Sequence, residues 1–301
     1  MRIRTDLAVE MKEDIEGEEP IKGVRVTTKN NGDTDILETR IIVETKEGEA
    51  NLGKPIGTYI TLESEHLREH DDTYHEPMAE VLSKILKNFM GRKKKILVAG
   101  LGNREVTPDA LGPLVIDNLY ITRHLLKEGI ISHSNEVSAI APGVMAQTGM
   151  ESVSVLRAVV NEVKPEFVIV IDALAARKSD RLNKTIQLAD TGIAPGSGVG
   201  NHRNAINEES LGVPVLAIGV PTVISVPTIV NDSMDMMIDT IGKVGFKEVL
   251  ERFSEEERYK LACEMVDPFM EDMFVTPKDI DEAVKRISYT ISEAINKAAL
   301  A

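Results

Sequence analysis

Val168-Ile-Val-Ile-Asp-Ala-Leu-Ala175 reads as a buried β-strand that delivers an acid near its carboxyl end. Val98-Ala-Gly-Leu-Gly-Asn-Arg-Glu-Val-Thr-Pro-Asp109 has the same plan, with a short apolar strand, a glycine-containing turn and then an acid. In open α/β sheets, ligands bind in the crevice outside the carboxyl ends of the strands. Asp172 and Asp109 are therefore expected to converge there from separate strand-loop units. Two carboxylates in a cleft can share a proton and activate water.

Around these segments the chain alternates strand and helix. Ile96–Ala99, Glu136–Ile140, Phe167–Ile171, Thr185–Leu188 and Val213–Ile218 read as strands, and Pro108–Leu126 and Thr148–Val163 as helices. That order predicts an α/β fold with a mixed, largely parallel sheet and helices on both faces. Upstream, alternation over Val24–Thr28, Ile36–Thr45 and Thr58–Leu62 predicts an N-terminal β-rich segment. Apolar residues from Met78 to Phe89 recur at helical spacing, so Tyr74–Met90 is expected to be an amphipathic helix. Beyond Pro227 the chain reads as mainly helical.

Composition narrows the function classes. The 301 residues are 42% hydrophobic and 28% charged, which is ordinary for a globular protein. A net charge of −14 argues against direct nucleic-acid binding, which uses a basic face. Cys263 is the lone cysteine, which rules out an intrachain disulfide and a cysteine-rich zinc site. No apolar run reaches the roughly 20 residues of a membrane span, and the amino terminus lacks a signal-peptide core. An intracellular protein with no membrane partner is expected.

Each candidate residue also has a structural explanation. In Thr107-Pro108-Asp109, Thr suits an N-cap, Pro the first helical position and Asp the first turn, so helix capping accounts for Asp109 as well as catalysis does. Asp172, directly after an apolar strand, must face the crevice or be buried at a cost. Asp190 is a candidate additional acid, although a turn explains it better. Gly100-Leu-Gly-Asn103 follows a strand but lacks the third glycine of a dinucleotide fingerprint. The glycine-dense stretch around Gly196, Ser197, Gly198, Gly200 and Asn201 can cradle an anion or hold an extended peptide backbone. His202 beside it is the one histidine retained as a site candidate, and Asn103 joins it as a substrate-binding candidate. Gly-x-Ser-x-Gly and His-Glu-x-x-His are both absent.

Taken together, several stretches resemble the germination protease family of spore-forming bacteria. They are Arg4-Thr-Asp-Leu-Ala-Val-Glu10, Gly100-Leu-Gly-Asn103, Val106-Thr-Pro-Asp-Ala-Leu-Gly-Pro113, Ile171-Asp-Ala-Leu-Ala175, Asp190-Thr-Gly192, Pro195-Gly-Ser-Gly-Val-Gly-Asn201 and Val275-Thr-Pro-Lys278. The resemblance implies an atypical, aspartic-type endopeptidase that initiates degradation of small acid-soluble spore proteins, with Asp109 and Asp172 as catalytic acids. It implies a fold similar to hydrogenase maturation endopeptidases, which use a metal. No cofactor is expected here, and a divalent metal is left open. It also implies a self-processing zymogen, with the Asp6–Leu7 bond as processing site, residues 1–6 as pro-segment and 7–301 as a single peptidase domain. A homotetramer in the spore-core cytoplasm is the implied assembly and location. The competing readings are a metallopeptidase on the same acids, a nucleotide- or phosphate-binding α/β enzyme, and a module that binds spore proteins without cutting them.

Overall fold

A computed structural model describes residues 5–13, 21–32, 34–67, 74–196, 204–242, 255–266, 269–270 and 273–300. The strands are β1 (Val24–Asn30), β2 (Leu37–Val43), β3 (Gly57–Glu63), β4 (Lys95–Gly100), β5 (Glu136–Ile140), β6 (Phe167–Ala176), β7 (Thr185–Ala189), β8 (Val215–Ser225) and β9 (Phe274–Val275). They form one sheet in the order β1-β2-β3-β7-β8-β6-β4-β5, with β9 added alongside β8. β8, β6, β4 and β5 pair in parallel, while β1, β2, β3 and β7 pair antiparallel. The sheet is thus mixed, as expected, with its parallel part gathered at one side.

The apolar runs of the parallel strands follow from burial on both faces. Ile96, Val98, Ile169, Ile171, Leu216 and Ile218 face one core, which is closed by the helices His75–Met90, Leu111–Asp117 and Ile280–Ala299. The intervening residues Leu97, Ala99, Val168, Val170 and Val215 face a second core under the helix Ser152–Val163. On this second face, further along β6, Leu174 belongs to a third cluster with Leu7, Ala8, Val9, Ile41 and Tyr59. Between the helix-covered part and the part covered by the amino-terminal segment, the face is open at Asp172.

Several expected elements change shape. β6 runs on to Ala176 because β8 continues to pair with it through Ile224. Asp172 therefore lies inside a strand and not beyond its end. The expected helix over Pro108–Leu126 is instead a 3-10 turn (Thr107–Asp109), a helix (Leu111–Asp117) and a short helix (Arg123–Lys127). The side chain of Asn296 holds the break open by accepting the Tyr120 N–H and donating to the Asn118 carbonyl, at 2.9 and 3.1 Å. The strand expected to reach Thr45 stops at Val43. The Thr45 hydroxyl then caps an unforeseen helix, Lys46–Leu52, by accepting the Gly48 N–H at 3.1 Å.

Candidate active site

β4 ends at Gly100, paired with Ile171, and the Leu101 N–H still reaches the Ile171 carbonyl at 2.8 Å. β6 continues past that point, so Asp172 is the first residue of β6 with no β4 neighbour. It is 5% exposed, and its Oδ1 accepts its neighbour Ala173's N–H at 3.1 Å. This is the crevice at the carboxyl end of β4.

Asp109 reaches the same crevice on the turn Thr107–Asp109. Neither Thr107 nor Val106 caps this turn with its side chain, so the expected Thr N-cap is absent, while Pro108 and Asp109 do fall in the first turn as expected. What holds the turn is the Thr222 hydroxyl of β8, which donates to the Pro108 carbonyl at 2.7 Å. The carboxylate of Asp109 accepts the Asn103 N–H at 2.7 Å. Close approach of the two segments depends on glycine. At Gly102, with φ +109°, a Cβ would lie 1.9 Å from the Asp109 carbonyl oxygen, so no side chain fits there.

Asp109 and Asp172 line a single cleft of about 560 Å³, together with Gly102, Gly196, Thr222 and Asp6. Other candidates lie elsewhere. Asp190 Oδ1 accepts the Thr58 N–H at 2.7 Å and closes the turn beside β3. Asn103 uses its Oδ1 to accept the Glu105 N–H at 3.0 Å and a Gln147 Nε2 hydrogen at 2.8 Å. Ser197, Gly198, Gly200, Asn201 and His202 lie outside the described residues. Among the described residues, no group of three His, Cys, Asp or Glu side chains is arranged to hold a metal ion.

The amino-terminal segment enters this site directly. The Asp6 carboxylate accepts the Ala175 N–H at 3.1 Å, and its carbonyl oxygen receives Lys54 Nζ at 2.9 Å and Gln187 Nε2 at 3.1 Å. The Gln187 Oε1 accepts the Ala8 N–H at 2.6 Å, so one side-chain amide brackets Leu7 as a neighbouring strand's backbone would. Leu7 is fully buried. Downstream, Glu10 is fully buried and accepts the Arg177 and Lys178 N–H groups, both at 3.0 Å, and the Thr5 hydroxyl. Burial pushes the Glu10 carboxyl above the ordinary carboxylate range, against the pull of those donors and of Arg181.

The sheet register explains why these groups meet. Asp172 pairs with Gly219, and Gly219 pairs with Gln187, so the three form a row across β6, β8 and β7 on one face. With strands ~4.8 Å apart, Asp172 and Gln187 stand about 10 Å from one another at the backbone. The Leu174 side chain packs over Gly219 between them, where a Cβ would lie 2.3 Å from Leu174 Cδ1. Gln187, Gly219, Lys54 and Thr222 were not singled out from sequence. The usable signals were a lone amide inside Thr185-Ile-Gln-Leu-Ala189 and a glycine inside Val215-Leu-Ala-Ile-Gly-Val220.

Comparison with known proteins decides the family. The family profile described as "Germination protease" matches residues 3–252. This chain belongs to the germination protease family. It is 45% identical to the germination protease of Caldanaerobacter subterraneus subsp. tengcongensis, over 98% of this chain and 94% of that one. The germination proteases of Clostridium tetani and Bacillus subtilis are 42% and 38% identical, covering 99% and 98% of this chain and 95% and 93% of theirs. Membership of the germination protease family makes the chain a peptidase. Among solved structures, a NiFe hydrogenase maturation protease from Thermococcus kodakarensis overlaps 70% of this chain and 98% of its own, at 18% identity and a TM-score of 0.34. Among the described residues, no helix is long and apolar enough to cross a membrane.

Proposed function

We propose that this germination protease is a sequence-specific endopeptidase that opens small acid-soluble spore proteins to degradation in the spore core, and that it first cuts its own Asp6–Leu7 bond. The observation that carries the reading is the shared cleft of Asp109, Asp172 and Asp6, with the carbonyl of Asp6 preceding the bond to be cut. One carboxylate of the Asp109/Asp172 pair is ionised and takes a proton from water. The other is protonated and supplies the proton that the departing amine needs. Water thus adds to the carbonyl carbon, the C–N bond breaks, and a new carboxyl and a new amine result. Two carboxylates from different elements suit this division of labour.

The test is intact-mass spectrometry of the full chain and its Asp109→Asn and Asp172→Asn variants. Each is incubated with a peptide containing Thr-Glu-Phe-Ala-Ser-Glu, with and without chelator. The expected result is chelator-insensitive cleavage of the peptide and of Asp6–Leu7, abolished in both variants. Full activity in either variant removes that aspartate from the mechanism. Chelator-sensitive cleavage transfers the two acids to a metal site.

A further inference from the structure

We infer that Lys54 Nζ and Gln187 Nε2 are the oxyanion donors of this peptidase, holding the carbonyl oxygen of the residue that precedes the scissile bond. The inference rests on the peptidase reading above and adds two catalytic residues to it.

Three observations support it. First, both groups donate to one oxygen, that of Asp6, at 2.9 and 3.1 Å. Two converging donors on a single carbonyl are what stabilises the charge that develops there when water attacks. Second, the register row puts Gln187 on the same face as Asp172, two strands away, with Leu174 packed over the intervening Gly219. The carboxylates and the donors line two adjoining clefts, and Asp6 and Leu174 line both. Third, both donors are held in place. Gly53, in a left-handed conformation at φ +72°, ends the Lys46–Leu52 helix and turns the chain into Lys54. The Tyr59 hydroxyl donates to the carbonyl of the next residue, Pro55, at 2.9 Å. The second bond of the Gln187 amide, to the Ala8 N–H at 2.6 Å, fixes which end of that amide faces the carbonyl. Donors fixed before reaction cost no reorganisation when the charge appears.

The sequence of events balances without a co-reactant other than water. Water adds to the carbonyl carbon of Asp6 and gives one proton to the ionised carboxylate. The carbonyl oxygen becomes an oxyanion held by Lys54 and Gln187. Collapse expels the Leu7 nitrogen, which takes a proton from the protonated carboxyl. A protein substrate presents its own residue where Asp6 sits. Burial pushes the Lys54 ammonium below its ordinary range and the Asp6 carboxylate pulls it back up, so an acidic residue at that position favours the charged donor.

The experiment uses the full chain and its Lys54→Met, Lys54→Arg and Gln187→Met variants, each checked for folding by circular dichroism. Release of residues 1–6 is followed by intact mass, and kcat and KM are measured on the Thr-Glu-Phe-Ala-Ser-Glu peptide. Lys54→Met and Gln187→Met are each expected to lower kcat by roughly 10²–10³-fold, with KM nearly unchanged, and Lys54→Arg to restore most of the rate. Wild-type kcat in both Met variants, or a loss confined to KM, overturns the assignment. Because Gln187 and Lys54 lie on different elements, either variant decides the matter if the other fails to fold. An unmodified chain that cuts the peptide but not Asp6–Leu7 overturns only the self-processing reading, and the kcat comparison still decides the donors. An unmodified chain that cuts neither overturns the peptidase reading and the donors with it.

Discussion

Asp172 and Gln187 stand in register two strands apart, with Gly219 in the row between them and the Leu174 side chain packed over it. The consequence is a pair of adjoining clefts, one holding the acid and the other the amide, with Leu174 in the lining of both. A Cβ added at Gly219 would sit 2.3 Å from Leu174 Cδ1. Gly219→Ala is therefore expected to cost about 1–3 kcal/mol of stability through overpacking and to lower kcat/KM at least tenfold by pushing Leu174 into the clefts it lines. Urea denaturation and peptide kinetics check both. A folded, fully active Gly219→Ala would show that the seat of Leu174 does not bear on the site.

The proposed mechanism gives Asp109 a chemical role beside a structural one, and substitution can separate them. Its carboxylate accepts the Asn103 N–H at 2.7 Å, an acceptor that Asn retains and Ala does not. Asp109→Asn should abolish cleavage with little loss of stability. Asp109→Ala should also lose about 1–3 kcal/mol, because a backbone donor is left unsatisfied. Equal stability of the two variants would discard the structural half of this account.

Arg181 organises the docking of the amino terminus. It is 6% exposed, forms ion pairs with Glu13 and Glu63, and lies 3.7 Å from Glu10. Arg181→Met leaves these carboxylates, one of them fully buried, without their cation. The expected loss is about 3–5 kcal/mol, read from the denaturant midpoint. A loss below about 1 kcal/mol would place this cluster with ordinary surface ion pairs.

Glu10 makes that docking pH-dependent. Its folded carboxyl is raised above the ordinary value of 4.5, chiefly by desolvation. The folded form therefore keeps a proton that the undocked form has lost. The stabilisation is complete below pH ~4.5 and is lost as pH rises through the raised value. Amide exchange in residues 7–13, corrected for intrinsic rates, should show protection that weakens over that rise. Glu10→Gln should flatten the dependence, and an unchanged profile in Glu10→Gln would assign it to another group.

Much of the frame was legible in sequence because it is written locally. β5 falls at Glu136–Ile140 as expected, and the helix expected from Tyr74 runs His75–Met90. Apolar periodicity carries both. Asp172 was legible as an acid on an apolar strand, but not its place within the strand. That depends on β8 remaining paired past Gly219, a contact between distant parts of the chain. Lys54 and Gln187 were hidden for the same reason. Each looks ordinary among its neighbours, and their meaning comes from Asp6, 48 and 181 residues away. The Pro108–Leu126 region misled because its helical spacing is real, while the side chain that interrupts it, Asn296, comes from the other end of the chain.

Leu7, Ala8 and Val9 are core residues, at 0%, 0% and 5% exposure. A cut before Leu7 would not free the segment that follows. The buried leucine would stay where it is, now bearing an α-amine whose ordinary pKa is about 7.7–8.0. Only the short leading piece could diffuse away, and once gone it could not be rejoined. Each molecule would then carry a permanent mark of having fired once, and the next chain could be cut only after Leu7 in turn gives up its seat.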